Sequence, residues 1–141
     1  MTRLAFLSRL PISRAAMEVI SIAAGLATMA KLADPKVYAR LDALCERLEQ
    51  QLAKSGIPWL RVTRQGSVVW PYFDEGSIPR TAAAISPVAV RRFNAMFQSV
   101  LRSGCYLPPS AYEVLFLSAA HTPAHIDQLA AALTAAAQGV D

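Results

Sequence analysis

Trp59 to Phe73 reads WLRVTRQGSVVWPYF, and the reading of this stretch decides the fold. Two β-rich runs, Trp59 to Arg64 and Ser67 to Phe73, flank Gln65-Gly66 and predict a hairpin. Pro71 has no N–H to give to a ladder, so the second run is either an edge strand or is broken there. Toward the N-terminus, Gly56 and Pro58 close a helix that Asp34-Pro35 opens. Asp34 is placed to cap free amides, and Pro35 occupies a first-turn position where no N–H is missed. Val37, Leu41, Leu44, Cys45, Leu48 and Leu52 recur at three- and four-residue spacing, which puts Cys45 on the core side. Before this helix, Ala15 to Leu32 is almost continuously small and apolar. It predicts a helix buried on several sides, a packing spine in which Gly25 permits close backbone approach.

Toward the C-terminus, Asp74 to Ile85 contains Gly76 and Pro79, has no sustained period, and reads as a loop. Ser86-Pro87 repeats the cap-then-proline signature. Val90, Phe93, Phe97, Val100 and Leu101 give the following helix its buried stripe before Gly104 stops it. Cys105 to Leu107 is expected to be a short strand, Pro108-Pro109-Ser110 a rigid extended turn, and Val114 to Ser118 a central strand. Thr122-Pro123 opens the last helix, with Ile126, Leu129, Ala130, Leu133 and Ala137 facing inward. Irregular alternation around a central hairpin predicts an α+β fold: a small, largely antiparallel sheet covered on one face by helices.

The 141 residues suit one core, so residues 1–14 are expected to form an N-terminal arm and residues 15–141 a single domain. With 54% hydrophobic against 17% charged residues, the chain is not a disordered tail. A mean hydropathy of +0.31 calls for a large core or an apolar face meant for a partner. The net charge of +4 is scattered, with no basic run longer than Arg91-Arg92, so no nucleic acid partner is expected. Cys45 and Cys105 lie far apart without a C-x-x-C, which points to reduced thiols in a cytoplasmic protein. The longest apolar stretch, Val19 to Ala30, falls short of the roughly 20 residues a membrane-spanning helix needs, so no membrane partner is expected. Met1 to Arg14, with Arg3, Arg9 and Arg14 and no acid, has a composition shared by organelle transit segments and ordinary N-terminal arms.

His121 and His125 are four apart, the spacing of a metal-ligand pair on one helix face. Thr122-Pro123 starts the helix between them, His121 is left outside it, and no further ligand cluster is at hand, so no metal is expected. Ser110, Ser118 and His121 hold hydrolase residue types without a G-x-S-x-G elbow, and a hydrolase is not expected. Gly25 stands alone within a helix, so there is no Rossmann or Walker loop. Glu113 lies between the Pro-Pro loop and an apolar run, as a carboxylate projecting from a rigid element or as a solvated strand-entry residue. Tyr106 and Tyr112 are expected to be half-buried packing residues.

Several of these segments coincide with one known family. Ile22-Ala23-Ala24-Gly25-Leu26-Ala27-Thr28-Met29, then Leu32-Ala33-Asp34-Pro35 and Tyr38, resembles the helix opening the C-terminal part of glutamate-1-semialdehyde 2,1-aminomutase. Gly104-Cys105-Tyr106-Leu107-Pro108-Pro109-Ser110, Tyr112-Glu113, Ser118-Ala119-Ala120-His121-Thr122 and Ile126-Asp127 resemble that family's closing signature in order and spacing. The resemblance covers the chain from about Ala15 onward. It implies the small domain of a fold-type I, class III aminotransferase. That class uses pyridoxal 5'-phosphate (PLP), and this family isomerises glutamate-1-semialdehyde to 5-aminolevulinate.

Only the small domain is resembled; the large domain with its Schiff-base lysine has no counterpart. Lys31, Lys36 and Lys54 fall on or beside helices, away from the family's lysine motif. Where the family has a Gly-Thr phosphate contact followed by Ser-Gly-Asn-Pro, this chain has Ser13-Arg14 and Ala16-Met17-Glu18-Val19. The isolated chain is therefore expected to hold no cofactor, with PLP entering only through a separate large domain. The resemblance gives Glu113 a substrate-facing position beside Tyr112, and the catalytic candidates are Glu113 with Tyr112 or His121. The expected function is that of a stand-alone or split small domain, an accessory subunit that docks on a PLP-binding large domain. Two alternatives remain: a cofactor-free binder or enzyme using Glu113 on a small amino-acid-like ligand, and a non-catalytic remnant that forms homo-oligomers.

Overall fold

The computed structural model describes residues 14–140, and the N-terminal arm lies outside them apart from Arg14. Eight elements follow in order. Helices α1 (Arg14–Leu32) and α2 (Pro35–Lys54) precede strands β1 (Arg61–Gln65) and β2 (Val68–Tyr72). After them come a 3-10 turn (Ala82–Ala84), helix α3 (Pro87–Arg102), strand β3 (Leu115–Phe116) and helix α4 (Pro123–Ala137). The architecture is α+β, with one antiparallel sheet in the order β1-β2-β3. The chain divides into two compact units, one up to Val37 and one from Tyr38 on.

Helix α1 forms where its small apolar residues predict it, but it is not a buried spine. Val19, Ile20, Ile22, Leu26 and Met29 are all exposed, and a Cβ on Gly25 would meet nothing within 4 Å. No single helix among the described residues is long and apolar enough to cross a membrane. The second unit holds the core. Leu44, Cys45, Leu48 and Leu52 form the buried stripe of α2, at the expected spacing. Asp34 caps it, its Oδ1 accepting from the Lys36 N–H at 2.9 Å.

The hairpin turns at Gly66-Ser67, where Gly66 takes a φ of +56° that other residues resist. Pro71 lies in β2, which is the middle strand. The β2–β3 ladder covers only Val68↔Phe116 and Val69↔Leu115, and at Pro71 the strand is paired with β1 alone. A proline is tolerated there because one side of the strand is open. The run Val114 to Ser118 is thus not a central strand: β3 is a two-residue edge strand, with Phe116 exposed. Cys105 to Leu107 is not a strand. It follows a helix stop directly and runs into Pro108-Pro109, which remove two donors from any ladder.

Ser86 caps α3, its Oγ accepting from the Ala89 N–H at 3.1 Å and donating to Asp74 Oδ2 at 2.5 Å. The buried stripe of α3 is Ala89, Phe93, Met96 and Val100, so Leu101 is exposed rather than inward. Phe73 stacks on Phe93 and Phe93 on Phe97, at 5.9 and 5.7 Å between ring centres. The Arg92 guanidinium lies 4.5 Å above the Trp59 ring and donates to the Phe73 carbonyl at 3.2 Å, tying α3 to the hairpin. Arg64 of β1 pairs with Asp42 and, at 3.0 Å, with Glu49 on α2, and these bonds hold its guanidinium firmly protonated.

Candidate functional site

Two helix ends define one concave site of this unit, the one that two histidines line. At the first, α3 closes in a Schellman arrangement: Gly104 N–H donates to the Leu101 carbonyl at 3.0 Å and Cys105 N–H to the Val100 carbonyl at 3.2 Å. Gly104 has a φ of +82°, and an added Cβ would crowd Gln128 Nε2 at 3.3 Å. Gln128 uses that nitrogen to donate to the Ser103 carbonyl at 3.1 Å, bridging the end of α3 to α4. At the second end, Thr122 caps α4. Its Oγ1 accepts from the His125 N–H, and His125 Nδ1 accepts from the Thr122 N–H at 3.3 Å. This is a capping box with histidine in the position usual for Glu or Gln.

His121 precedes that cap and is held the same way. Its Nδ1 accepts from the Ser118 N–H at 2.9 Å and lies 3.1 Å from Ser118 Oγ. Arg40 of α2 donates to the His121 carbonyl at 3.2 Å. Further along, Arg47 of α2 grips Asp127 of α4 with two bonds of 2.7 Å, and Gln51 adds a third at 3.3 Å. The guanidinium bonds hold the Asp127 carboxyl below the usual carboxylate range.

Between these ends lies a cleft of about 290 Å³. Its floor is apolar, with Leu107, Leu115, Leu117, Ile126 and Leu129. Its polar lining is Tyr106, His121, His125 and Gln128, together with the Cys105 thiol, which desolvation pushes up and makes a poor nucleophile. Burial likewise raises the Cys45 thiol in the core.

The expected site residues separate. His121 lines the cleft, but Tyr112 and Glu113 do not. Glu113 is exposed in the turn before β3, its N–H donating to the Ser110 carbonyl at 3.2 Å. Tyr106 and Tyr112 are exposed rather than half-buried, Tyr106 in the irregular stretch after α3 and Tyr112 in a turn before β3. Ser118 and His121 do touch, yet Ser110 is engaged elsewhere, its Oγ accepting from the Tyr112 N–H at 3.2 Å. The Ser118 Oγ also accepts from the Ala120 N–H at 3.3 Å, the pattern of a local turn. Gln128 was not evident in the sequence; the one signal of the site was the His121/His125 pair, of which His125 completes a cap and His121 closes the turn before it.

No family model matches this sequence. The glutamate-1-semialdehyde 2,1-aminomutase of Desulforudis audaxviator is 35% identical over 113 residues, covering 77% of this chain and 26% of that protein. That of Laribacter hongkongensis is 38% identical over 112 residues, again 77% and 26%. Among solved structures, a beta-phenylalanine aminotransferase from Variovorax paradoxus superposes with a TM-score of 0.57 at 27% identity, over 74% of this chain and 23% of that one. In fold the chain is thus similar to a part of an aminotransferase. In sequence it is similar to the glutamate-1-semialdehyde 2,1-aminomutases, of which it matches a small C-terminal-like domain. The chain spans about a quarter of the length of the curated relatives it matches.

PLP, which the resemblance implies, does not fit the residues of the cleft. It needs a lysine amine for its aldehyde. Lys31, Lys36 and Lys54 are exposed at helix ends, and none of them lines the cleft.

Proposed function

We propose that this chain is an accessory domain of an aminotransferase-like protein, docking through α1 on a PLP-binding large domain. By itself it is not sufficient for PLP chemistry. The observation that carries the reading is the exposure of α1: Val19 66%, Ile22 62%, Leu26 64% and Met29 69%. At about 100° per residue these four fall within an arc of about 80°, a single stripe along the helix. The two hydroxyls of α1 suit a dry interface. Ser21 Oγ donates to the Met17 carbonyl at 2.9 Å and Thr28 Oγ1 to the Ala24 carbonyl at 2.8 Å, so neither needs water. Similarity to a quarter of the aminomutase length supports the choice of partner.

The test is sedimentation of this chain mixed with PLP-loaded Laribacter hongkongensis aminomutase from which the matched 112 residues are deleted. A joint complex is expected. A chain that stays monomeric, or pairs only with itself, overturns the docking reading in favour of a free binder or an oligomerising remnant. A stoichiometric, borohydride-trappable PLP adduct on one lysine of the chain alone would overturn its insufficiency.

A further inference from the structure

The cleft formed by Tyr106, His121, His125 and Gln128 is a site that the docking reading does not use. We infer that it binds a small carboxylate with an apolar, single-ring body, held by the imidazole N–H groups of His121 and His125.

The imidazoles decide the ligand class. A backbone N–H can be accepted only by a ring nitrogen that carries a lone pair, so Nδ1 of each neutral ring is the acceptor and Nε2 bears the proton. Two rings that line one cleft, with centres 6.2 Å apart, thus have Nε2–H as their remaining polar group. Both donors suit an acceptor, and an anionic one most, because charge-assisted hydrogen bonds are about twice as strong as neutral ones. No Asp or Glu lines the cleft to repel an anion.

The same tautomer argues against two other occupants. A metal ion needs the Nε2 lone pair, which each ring exposes only by giving up its bond to the Ser118 or Thr122 amide. An ammonium would face two N–H donors. The rest of the cleft sets size and shape. Leu107, Leu115, Leu117, Ile126 and Leu129 offer an apolar floor, and about 290 Å³ is at the lower end of small-molecule clefts, enough for one ring and a short arm. Tyr106 and Phe116 stand exposed at the lining, available to cover the ring.

The experiment is a titration of the full chain, without partner, with phenylacetate, followed by long-range ¹H–¹⁵N correlation of the histidine rings. Saturable shifts of Nε2 in both His121 and His125 are expected, with Nδ1 remaining an unprotonated acceptor. Phenylacetamide, lacking the charge, and acetate, lacking the ring, should each bind at least tenfold more weakly. Leu129→Trp, which fills the floor, should abolish the shifts, and His121→Gln should weaken binding about tenfold. The inference is overturned if phenylacetate produces no saturable shift or if benzylamine binds equally well. It is also overturned if Leu129→Trp leaves binding intact, or if zinc chloride alone saturates both Nε2 atoms at micromolar concentration.

Discussion

Replacing Ile22 by glutamate puts the docking reading at risk. Ile22 lies in the middle of the α1 stripe, 62% exposed, between Val19 and Leu26. Full burial of such a side chain is worth about 1.5–3 kcal/mol, so covering its exposed part contributes about 1–2 kcal/mol to a complex. The four stripe residues together supply about 4–8 kcal/mol on the same scale. Glutamate at position 22 removes that share and adds the desolvation of a carboxylate, which in real proteins is several kcal/mol when no partner neutralises it. A loss of at least about 3 kcal/mol follows, a Kd weakened by more than 100-fold. The effect on the chain itself should be small, since the position is exposed and glutamate is a good helix former. The assay is calorimetric titration of wild type and Ile22→Glu into the truncated aminomutase, with thermal unfolding of each chain alone. The double variant Ile22→Glu/Leu26→Glu, both within the stripe, should abolish binding altogether. A Kd within threefold of wild type for Ile22→Glu, with melting unchanged, refutes the argument that this stripe is an interface. Loss of folding in the isolated variant refutes it differently, by showing that the stripe is part of the chain's own core.

Leu48→Ala, in a fully buried position of α2, should destabilise the second unit by about 2–5 kcal/mol, read as a large drop in the urea midpoint; a drop under 0.5 kcal/mol would contradict the burial. Ser86→Ala removes the α3 cap and should cost about 1 kcal/mol at pH 7. The Ser86 hydroxyl is also the main cause of the lowered Asp74 pKa, helped by the Glu75 amide and by Arg92. A lowered folded pKa gives stability that is present above the ordinary carboxylate range and lost as pH falls through the folded value. Ser86→Ala should therefore lose less stability than wild type between pH 5 and pH 2, as followed by acid titration of the circular dichroism signal; parallel curves would remove Ser86 as the cause. Glu113→Gln should leave melting unchanged and leave phenylacetate binding unchanged, because Glu113 is exposed and outside the cleft. Calorimetry with amino acids and amino-aldehyde analogues checks the competing role: heats that vanish in Glu113→Gln would restore it as a ligand-facing carboxylate.

What the sequence made legible was local. Asp34-Pro35, Ser86-Pro87 and Thr122-Pro123 each announce a helix start through a side chain that reaches amides two or three residues on, and all three helices begin at the proline. Gln65-Gly66 between β-rich runs announced the hairpin, because a two-residue turn needs a positive φ that glycine supplies. Short apolar runs were less informative. Cys105 to Leu107 and Val114 to Ser118 satisfy a strand pattern equally well, yet only Leu115–Phe116 finds a partner, at the one free edge of β2. Pairing is a property of the edge on offer, and Pro71 shortens that edge. The apolar α1 posed the opposite problem: composition says a surface must be covered and is silent on whether its cover lies in the same chain.

The cleft was hidden for a reason that its construction explains. Its walls come from three stretches, the turn after α3, the edge strand β3 and the first turns of α4, so no single window of sequence contains it. What fixes their mutual placement is again local: a Schellman stop at Gly104 turns the chain toward Leu107, and a capping box at Thr122 sets the angle of α4. Gln128 then links the two ends through the Ser103 carbonyl. The histidines contribute to both levels at once. His125 Nδ1 completes the cap and His121 Nδ1 closes the turn before it, and each bond, made for a structural purpose, leaves Nε2 protonated. The donor character of the cleft is in this way a by-product of how α4 begins. Substituting His125 by glutamine, which also satisfies a capping box, would keep the helix start and exchange a fixed N–H donor for an amide that can turn either way.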